Sequence, residues 1–263
     1  MTEVWLPKLK NYFDRQAIDP NMGDDDLALN GYKAPRVISY WTDPVRERFL
    51  NDIVSKLSLS KDLRVLDVGC GTGMILRKIG VHVAHITGID FSAGMLAIAR
   101  HRLPHNAILQ QANAAALPFK DEVFDRVVCY HVITNFLNDD FTRKVLTQLV
   151  RVTRKGGFVF VGNTPDYDKK DEQATLIRNQ SHGKWQPPLR LTLLQRLETY
   201  FRNIWHARIW PHSVQPSLGN RFYSKDFFRE FAKQTSCDIE VLPLEVEGYL
   251  YAPCRFDVRL WPT

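Results

Sequence analysis

The chain has 263 residues, enough for one or two domains and for a core that needs neither a disulfide nor a structural metal. Its composition, 44% hydrophobic and 24% charged, excludes a fibrous or wholly disordered protein, and its net charge of +6 suits an anionic partner. No stretch approaches the roughly 20 consecutive apolar residues of a membrane span, and the first residues lack the apolar segment of a signal peptide. The four cysteines are widely separated, so a reduced, cytoplasmic protein is expected.

The N-terminal residues 1–42 are rich in turn signals, among them Asp19-Pro20 and Asn30-Gly31, and predict an arm or lid with short helices. Asp43-Pro44 then opens an amphipathic helix, because a capping residue precedes a proline suited to the first turn. Apolar residues recur in this helix at helical spacing, at positions 45, 49, 53 and 57.

From residue 63 onward, short apolar runs alternate with helical stretches, which is typical of βαβ units and a parallel sheet. Strands are predicted at 64–68, 85–89, 107–111, 126–130 and 158–162. Helices are predicted at 74–79, at 93–103 with Ser92 as N-cap, and at 140–154, the last closed by Lys155-Gly156-Gly157. A helix at 224–235 and two strands at 238–247 and 255–261 follow, and these strands pair antiparallel at the sheet edge. The sequence predicts an α/β fold with a doubly wound, Rossmann-like sheet of seven strands and an antiparallel last strand.

The alternation is interrupted by residues 163–223, which carry most of the positive excess of the chain and a loop rich in Pro, Ser and Gly. We interpret this segment as a lid insert after the fifth strand, within a domain that spans residues 43–263. An insert at this place emerges at the carboxyl edge of the sheet, where ligands of open α/β sheets bind.

A glycine-rich turn joins the first strand to the next helix and contains Asp67, Gly69, Gly71 and Gly73. Glycines without a Cβ let a ligand approach the backbone and permit positive φ in a tight turn. The second strand ends in Asp90, where an acid can accept hydrogen bonds from ribose hydroxyls. A dinucleotide fingerprint would require a glycine at position 74, and Met74 stands there, so a dehydrogenase is disfavoured.

The spacing Asp-x-Gly-x-Gly-x-Gly resembles motif I of the class I S-adenosylmethionine (SAM) dependent methyltransferases, and Gly88-Ile89-Asp90-Phe91-Ser92 resembles the acidic loop of that family. The similarity continues in the expected order through 114–119, 124–128 and 151–161. The resemblance implies that SAM is the methyl donor and S-adenosylhomocysteine the product.

The same resemblance implies roles for individual residues. Asp67, Gly69 and Gly71 would lie beside the methionine moiety, Asp90 at the ribose hydroxyls and Phe91 against the adenine. Asn113, where relatives usually have Asp, would accept from the adenine amino group through its amide oxygen. The predicted cofactor set is completed by Cys70, Gly73, Ala114 and Tyr130.

The SAM sulfonium is itself a strong methyl donor, so the enzyme mainly has to align the nucleophile with the methyl group. A hydroxyl acceptor would need a base, for which His131 at the end of the fourth strand and His212 in the insert are the candidates. Aromatic residues on both flanks, namely Tyr12, Tyr40, Trp41 and Trp210, are predicted to wall an aromatic or anionic small-molecule acceptor. No metal is expected, because no carboxylate directly follows the fourth strand.

Two alternatives remain beside small-molecule O-methylation. A nucleic-acid methyltransferase fits the basic charge, but the Asn/Asp-Pro-Pro-Tyr/Phe element of amino-methylating enzymes is absent after the fourth strand, where the chain has Cys-Tyr-His-Val-Ile. Pro253-Cys254 has the dipeptide of cytosine-5 enzymes at a different place in the fold. Nucleic acid is therefore disfavoured as a partner. The second alternative is a protein of this fold that binds SAM without catalysis.

Overall fold

The structure is a computed structural model, and it describes residues 2–17, 43–104, 106–182 and 221–263. The described helices are α1 (Thr2–Gln16), α2 (Asp43–Leu57), α3 (Met74–Ile79), α4 (Ala93–Arg102), α5 (Asp139–Val152), α6 (Lys170–His182) and α7 (Lys225–Gln234). The strands are β1 (Arg64–Val68), β2 (His85–Asp90), β3 (Ile108–Gln111), β4 (Phe124–Tyr130), β5 (Thr153–Pro165), β6 (Cys237–Pro243) and β7 (Arg255–Pro262). Three short 3-10 helices, Ile133–Asn135, Tyr167–Lys169 and Ala252–Cys254, join these elements.

The seven strands form one sheet in the order β3-β2-β1-β4-β5-β7-β6. The first five strands run parallel, and β7 lies antiparallel between β5 and β6. The predicted Rossmann-like sheet with an antiparallel last strand is therefore confirmed. The strand order reverses between β1 and β4, and the carboxyl ends of these neighbours open a crevice of the kind in which open α/β sheets bind ligands.

Buried side chains cover both faces of the sheet, because successive residues of a strand point to opposite faces. In β1, Val65 joins an apolar cluster with α2 and α3, whereas Leu66 joins a second cluster with α5 and α7. Phe160 and Val161 of β5 divide between the clusters in the same way. The sheet is thus covered on two sides, and its free strand ends form the edge that is left for a site.

The predicted boundary between α5 and β5 was wrong. The helix ends at Val152, and the strand begins at Thr153, so Gly156 and Gly157 lie inside the strand and do not close the helix. Gly156 has φ +78°, and a Cβ added to Gly157 would lie 2.5 Å from the Asp125 carbonyl oxygen. The two glycines therefore allow a bent strand start and a close approach of β4 and β5. The sixth strand likewise ends at Pro243, before the predicted residue 247.

The arm and the insert are described in part. The arm contributes α1, while residues 18–42 lie outside the described residues. In the insert, residues 163–165 belong to β5 and α6 follows, while residues 183–220 lie outside the described part. Among the helices that the structure describes, none has the length and apolar character needed to cross a membrane.

Candidate active site

A cavity opens at the carboxyl edge of the sheet, where β1, β2, β3 and β4 end. Its walls come from these strand ends, from the 3-10 turn after β4 and from α1, which lies across it. The cavity is lined by Trp5, Leu6, Leu9, Phe13, Gly69, Gly71, Ile89, Asp90, Phe91, Met95, Ala112, Asn113, Ala114, Tyr130, His131, Val132, Asn135, Phe136 and Phe141. The space between these atoms, including the open solvent at the mouth, is about 1010 Å³.

The glycine turn after β1 brings bare backbone to the cavity. Gly69 and Gly71 have φ +79° and +53°, which L side chains rarely adopt, and nothing lies within 4 Å of a Cβ built on Gly71. The Gly69 amide is held by the Ile89 carbonyl of β2 at 2.8 Å. Gly73, also at positive φ, lies against the Leu103 side chain instead, so its role is the packing of α3.

The Asp90 carboxylate, 6% exposed, ties the glycine turn to the start of α4. Its Oδ2 accepts from the Gly71 amide at 2.9 Å, and its Oδ1 accepts from the Ser92 amide at 2.8 Å. Burial raises the pKa of Asp90 to about 6, against the opposing effect of these backbone hydrogen bonds. The second lone pairs of both oxygens stay available to ligand hydroxyls.

Asp67 is buried in β1 beside this turn, although it is not among the residues that line the cavity. Its Oδ2 has no hydrogen-bond partner among the described residues. Burial, followed by the nearby charge of Asp90, raises the pKa of Asp67 to about 7. An orphaned buried acceptor calls for a donor or a cation. Together with the open space at Gly71, it fits SAM, which carries a sulfonium and an ammonium group.

Helix α1 closes one side of the cavity with four apolar side chains, Trp5, Leu6, Leu9 and Phe13. The Phe13 ring meets the Phe91 ring edge to face at a centroid distance of 5.7 Å. At the end of the helix, Asp14 Oδ1 accepts from the Ser92 hydroxyl at 2.5 Å. A Cβ on Gly94 would lie 2.8 Å from that of Ala17, so the absent side chain allows α1 to pack on α4.

The loop after β3 provides Asn113 and Ala114 to the same wall as Phe91. The Asn113 Oδ1 accepts from the Ala115 amide at 2.9 Å, which fixes the side chain within its own turn. The amide oxygen has a second lone pair for a ligand amino group.

Tyr130 and His131 line the cavity at the end of β4. Gly162 of β5 makes room for the Tyr130 ring, since an added Cβ would lie 2.1 Å from it. His131 has φ +59° and its Nδ1 lies 3.1 Å from the Asn163 Nδ2. Burial is the largest cause that lowers the pKa of His131, to about 3, and the charge of Arg255 adds to it while a backbone hydrogen bond with Asn163 opposes it. A ring this hard to protonate is a weak base.

The cavity brings together eight residues predicted for the site: Gly69, Gly71, Asp90, Phe91, Asn113, Ala114, Tyr130 and His131. Four others, Asp67, Cys70, Gly73 and Tyr12, are described but do not line it. Tyr40, Trp41, Trp210 and His212 lie outside the described residues. Within the described ranges, no group of three or more His, Cys, Asp or Glu side chains is placed to hold a metal ion.

Several lining residues were missed at the sequence level, and most are apolar: Trp5, Leu6, Leu9, Phe13, Asn135, Phe136 and Phe141. Positions 5, 9 and 13 recur four residues apart, and this spacing was a usable helical signal in the arm. The residues after β4 carry no comparable pattern.

Comparison with known proteins identifies the domain. Residues 65–157 match a family model described as a methyltransferase domain. The matched residues are therefore similar to methyltransferase domains. The match covers β1 to the start of β5, and so contains the glycine turn, Asp90 and the end of β4.

Two curated proteins illustrate the relatives of this methyltransferase domain. The chain is 36% identical over 133 residues to the O-methyltransferase rstn1 of Aspergillus nomiae, which covers 45% of this chain and 58% of that protein. It is 32% identical over 136 residues to the ubiquinone/menaquinone biosynthesis C-methyltransferase UbiE of Campylobacter jejuni, over 49% of this chain and 56% of that protein. The chain therefore spans somewhat more than half of these relatives.

A solved structure with the same fold is the phosphoethanolamine N-methyltransferase 1 of Haemonchus contortus in complex with phosphoethanolamine and S-adenosylhomocysteine. The superposition covers 100% of this chain and 50% of that protein, with a TM-score of 0.65 and 13% sequence identity. The methyltransferase fold thus extends beyond the residues matched by the family model.

Proposed function

We propose that the protein transfers the methyl group of SAM to a small-molecule acceptor. The observation that carries the proposal is that one cavity is lined both by the glycine turn and Asp90 and by apolar side chains such as Trp5 and Phe136. The first part suits the donor and the second an organic acceptor.

Bound SAM would supply an electrophilic methyl group on a positively charged sulfur. Gly71 would admit its amino acid portion to the backbone, Gly69 would line the same part of the cavity, and Asp90 would accept from the ribose hydroxyls. Phe91, steadied by Phe13, would pack against the adenine. The chain then contributes alignment of the acceptor and exclusion of water, with little covalent chemistry of its own.

The acceptor would meet the aromatic part of the cavity, which is formed by Trp5, Phe136 and Phe141. These rings pack edge to face, with centroid distances of 5.6 Å from Trp5 to Phe141 and 5.1 Å from Phe136 to Phe141. A wall of this kind favours a planar or aromatic acceptor. The insert 163–223 would complete the acceptor side as a lid.

We further propose that the methyl group is transferred to an oxygen atom of the acceptor. Its support is the relative rstn1, an O-methyltransferase, while the relative UbiE is a C-methyltransferase. A phenol with an activated ring position offers both kinds of nucleophile, so one acceptor class can distinguish them. A base role for His131 stays a prediction.

The first test is calorimetric titration with SAM and with S-adenosylhomocysteine. We expect both to bind, and Asp90→Ala to weaken binding by about 1.5 to 3 kcal/mol through loss of charge-assisted hydrogen bonds. Asp238→Asn on the exposed part of β6 is the matched control. An unchanged dissociation constant for Asp90→Ala would remove Asp90 from the donor site.

The second test is methyl transfer from labelled SAM to a panel of phenols, hydroquinones and amines, with the product bond identified by NMR. A labelled methyl ether supports O-methylation, and a labelled ring carbon moves the assignment to carbon. Tight SAM binding without transfer to any panel member or to a metabolite extract would favour the non-catalytic alternative.

A further inference from the structure

His131 directly follows β4, and Asn163 lies within β5, two residues before its end at Pro165; each is one residue beyond the paired Tyr130 and Gly162. Both have left-handed backbones, with φ values of +59° and +55°. The His131 amide donates to the Gly162 carbonyl at 2.9 Å. Non-glycine residues keep such conformations where the surrounding structure fixes them, often at functional sites. The two side chains are thus held against each other at the edge of the cavity.

Asn163 is fully buried, and its polar groups meet fixed partners. Its backbone N–H donates to Asp257 Oδ1 at 2.8 Å, and its backbone carbonyl accepts from Arg255 Nη1 at 2.9 Å. Its side-chain oxygen accepts from the Tyr249 hydroxyl at 3.3 Å. The side-chain nitrogen Nδ2 lies 3.1 Å from His131 Nδ1 and also donates to the Tyr249 hydroxyl at 3.3 Å.

With the amide nitrogen of Asn163 placed toward His131, Nδ1 of the imidazole is the acceptor, because an amide NH₂ group donates hydrogen bonds and does not accept them. In a neutral imidazole the other nitrogen then carries the proton. This places the proton of His131 on Nε2, in a side chain that lines the cavity. A general base would need its lone pair there instead.

The charges around the ring also favour the neutral form. Arg255 of β7 is positive, and burial together with this charge lowers the pKa of His131. Asp257, on the same strand, is a buried carboxylate that is paired with Lys56 of α2 at 2.7 Å. Lys56 also binds Asp52 at 2.8 Å, and the Tyr249 hydroxyl lies 3.3 Å from the Asn163 side chain.

We propose that His131 is a neutral hydrogen-bond donor to an oxygen of the methyl acceptor, and that Asn163 is the positioning residue that selects this tautomer. The inference rests on the proposed function and narrows its substrate class. A fixed N–H donor stabilises a carbonyl oxygen or a hydroxyl oxygen that has already lost its proton. It does not remove a proton from the acceptor. The acceptor is therefore an acidic hydroxyl compound, of the phenol or enol kind, which ionises without an enzymic base.

The test reads the tautomer directly in protein labelled with ¹⁵N at histidine, by two-bond ¹H–¹⁵N correlation between pH 5 and 8. His131→Gln assigns the signals of residue 131, and His82→Gln at an exposed site is the control for loss of an unrelated histidine. We expect a neutral ring protonated on Nε2 that does not titrate in this range. Protonation on Nδ1, or an imidazolium near neutral pH, would overturn the proposal and restore the base role.

Asn163→Asp supplies a second measurement, because a carboxylate of the same shape accepts where the amide donated. We expect the proton of His131 to move to Nδ1 and the pKa of the ring to rise. An unchanged spectrum in the folded variant would contradict the positioning role, and the spectrum of the unsubstituted protein decides the tautomer even if this variant does not fold. If the unsubstituted protein does not bind SAM in calorimetry, the proposed function is contradicted. The tautomer result is independent of this outcome, because the tautomer is read without any ligand.

Discussion

Asp14 of α1 accepts a hydrogen bond from the Ser92 hydroxyl at the N-terminus of α4, at 2.5 Å and across 78 residues of sequence. Ser92 also caps α4 by accepting from the Met95 amide, and its own amide donates to Asp90. Ser92 thus connects the helix that closes the cavity to the acidic residue inside it, through its hydroxyl to Asp14 and through its backbone amide to Asp90. Burial acts to raise the pKa of Asp14, but hydrogen bonds from Lys10 and Ser92 outweigh this effect and lower the pKa. The connection therefore persists at neutral pH.

Asp14→Ala should loosen α1 and weaken SAM binding by about three- to tenfold, up to roughly 1.4 kcal/mol. The reason is that Trp5, Leu9 and Phe13 keep the cavity dry while α1 stays packed on α4. Calorimetry gives the dissociation constant, with Asn11→Ala on the exposed face of the same helix as control. Equal affinities for Asp14→Ala and the control would mean that α1 does not hold the donor.

Gly71→Ala and Gly156→Ala form a matched pair. Both glycines have positive φ, +53° and +78°, and a Cβ on either meets nothing within 4 Å. Each substitution should cost about 1 kcal/mol of folding free energy through backbone strain. Only Gly71→Ala puts its methyl group into the cavity, so we expect SAM affinity to fall more than tenfold there and to stay unchanged for Gly156→Ala. Thermal unfolding and calorimetry separate the two effects, and similar affinities would show that the donor does not approach Gly71.

Asp67→Asn should stabilise the ligand-free protein at pH 7.5 by about 2 kcal/mol, because a buried carboxylate without a partner is replaced by a neutral amide. Burial and the charge of Asp90 raise the pKa of Asp67 to about 7, above its unfolded value of 3.8. The folded protein therefore holds this proton more tightly, and the stability that it contributes is complete below about pH 4 and is lost as the pH rises through about 7.

Unfolding in urea at several pH values checks this expectation. The parent protein should become more stable as the pH is lowered from 7.5 to 5, and Asp67→Asn should show a smaller gain. The variant should also bind SAM more weakly. Asp238→Asn, at an exposed position, should leave the pH profile unchanged. A parent protein that becomes less stable as the pH is lowered from 7.5 to 5 would contradict a raised pKa of Asp67.

Replacing residues 183–220 by a Gly/Ser linker should abolish methyl transfer and keep SAM affinity within about tenfold. The donor residues all precede this segment, and the replacement leaves the neighbouring buried groups in place. A deletion of the whole range 163–223 would remove the buried Asn163 and Tyr223, of which the latter pairs with Pro165 through its amide at 2.9 Å. Methyl transfer at the parental rate in the folded variant would mean that residues 183–220 take no part in acceptor binding, and would leave the acceptor site to the wall formed by Trp5, Phe136 and Phe141 alone.

The sequence alone determined the sheet and the donor side of the site. Strands such as β1 and β4 are short runs of mostly apolar residues, and the turn that contains Gly69 and Gly71 has local requirements on φ that few residues meet. Asp90 and Asn113 follow strands whose ends a parallel sheet brings to one edge. Period and spacing are local properties, so they can be recognised without coordinates.

The tertiary structure decided which distant residues share the cavity and in which state they are held there. The contact of Asp14 with Ser92 and the network that joins His131 to Asn163 and Asp257 connect residues far apart in the chain. No periodicity or motif specifies such a pairing, because it depends on how separate elements pack. The pKa of a histidine and the nitrogen that holds its proton are set by burial and by neighbours of this kind, so the sequence could propose His131 for the site but could not distinguish a base from a donor.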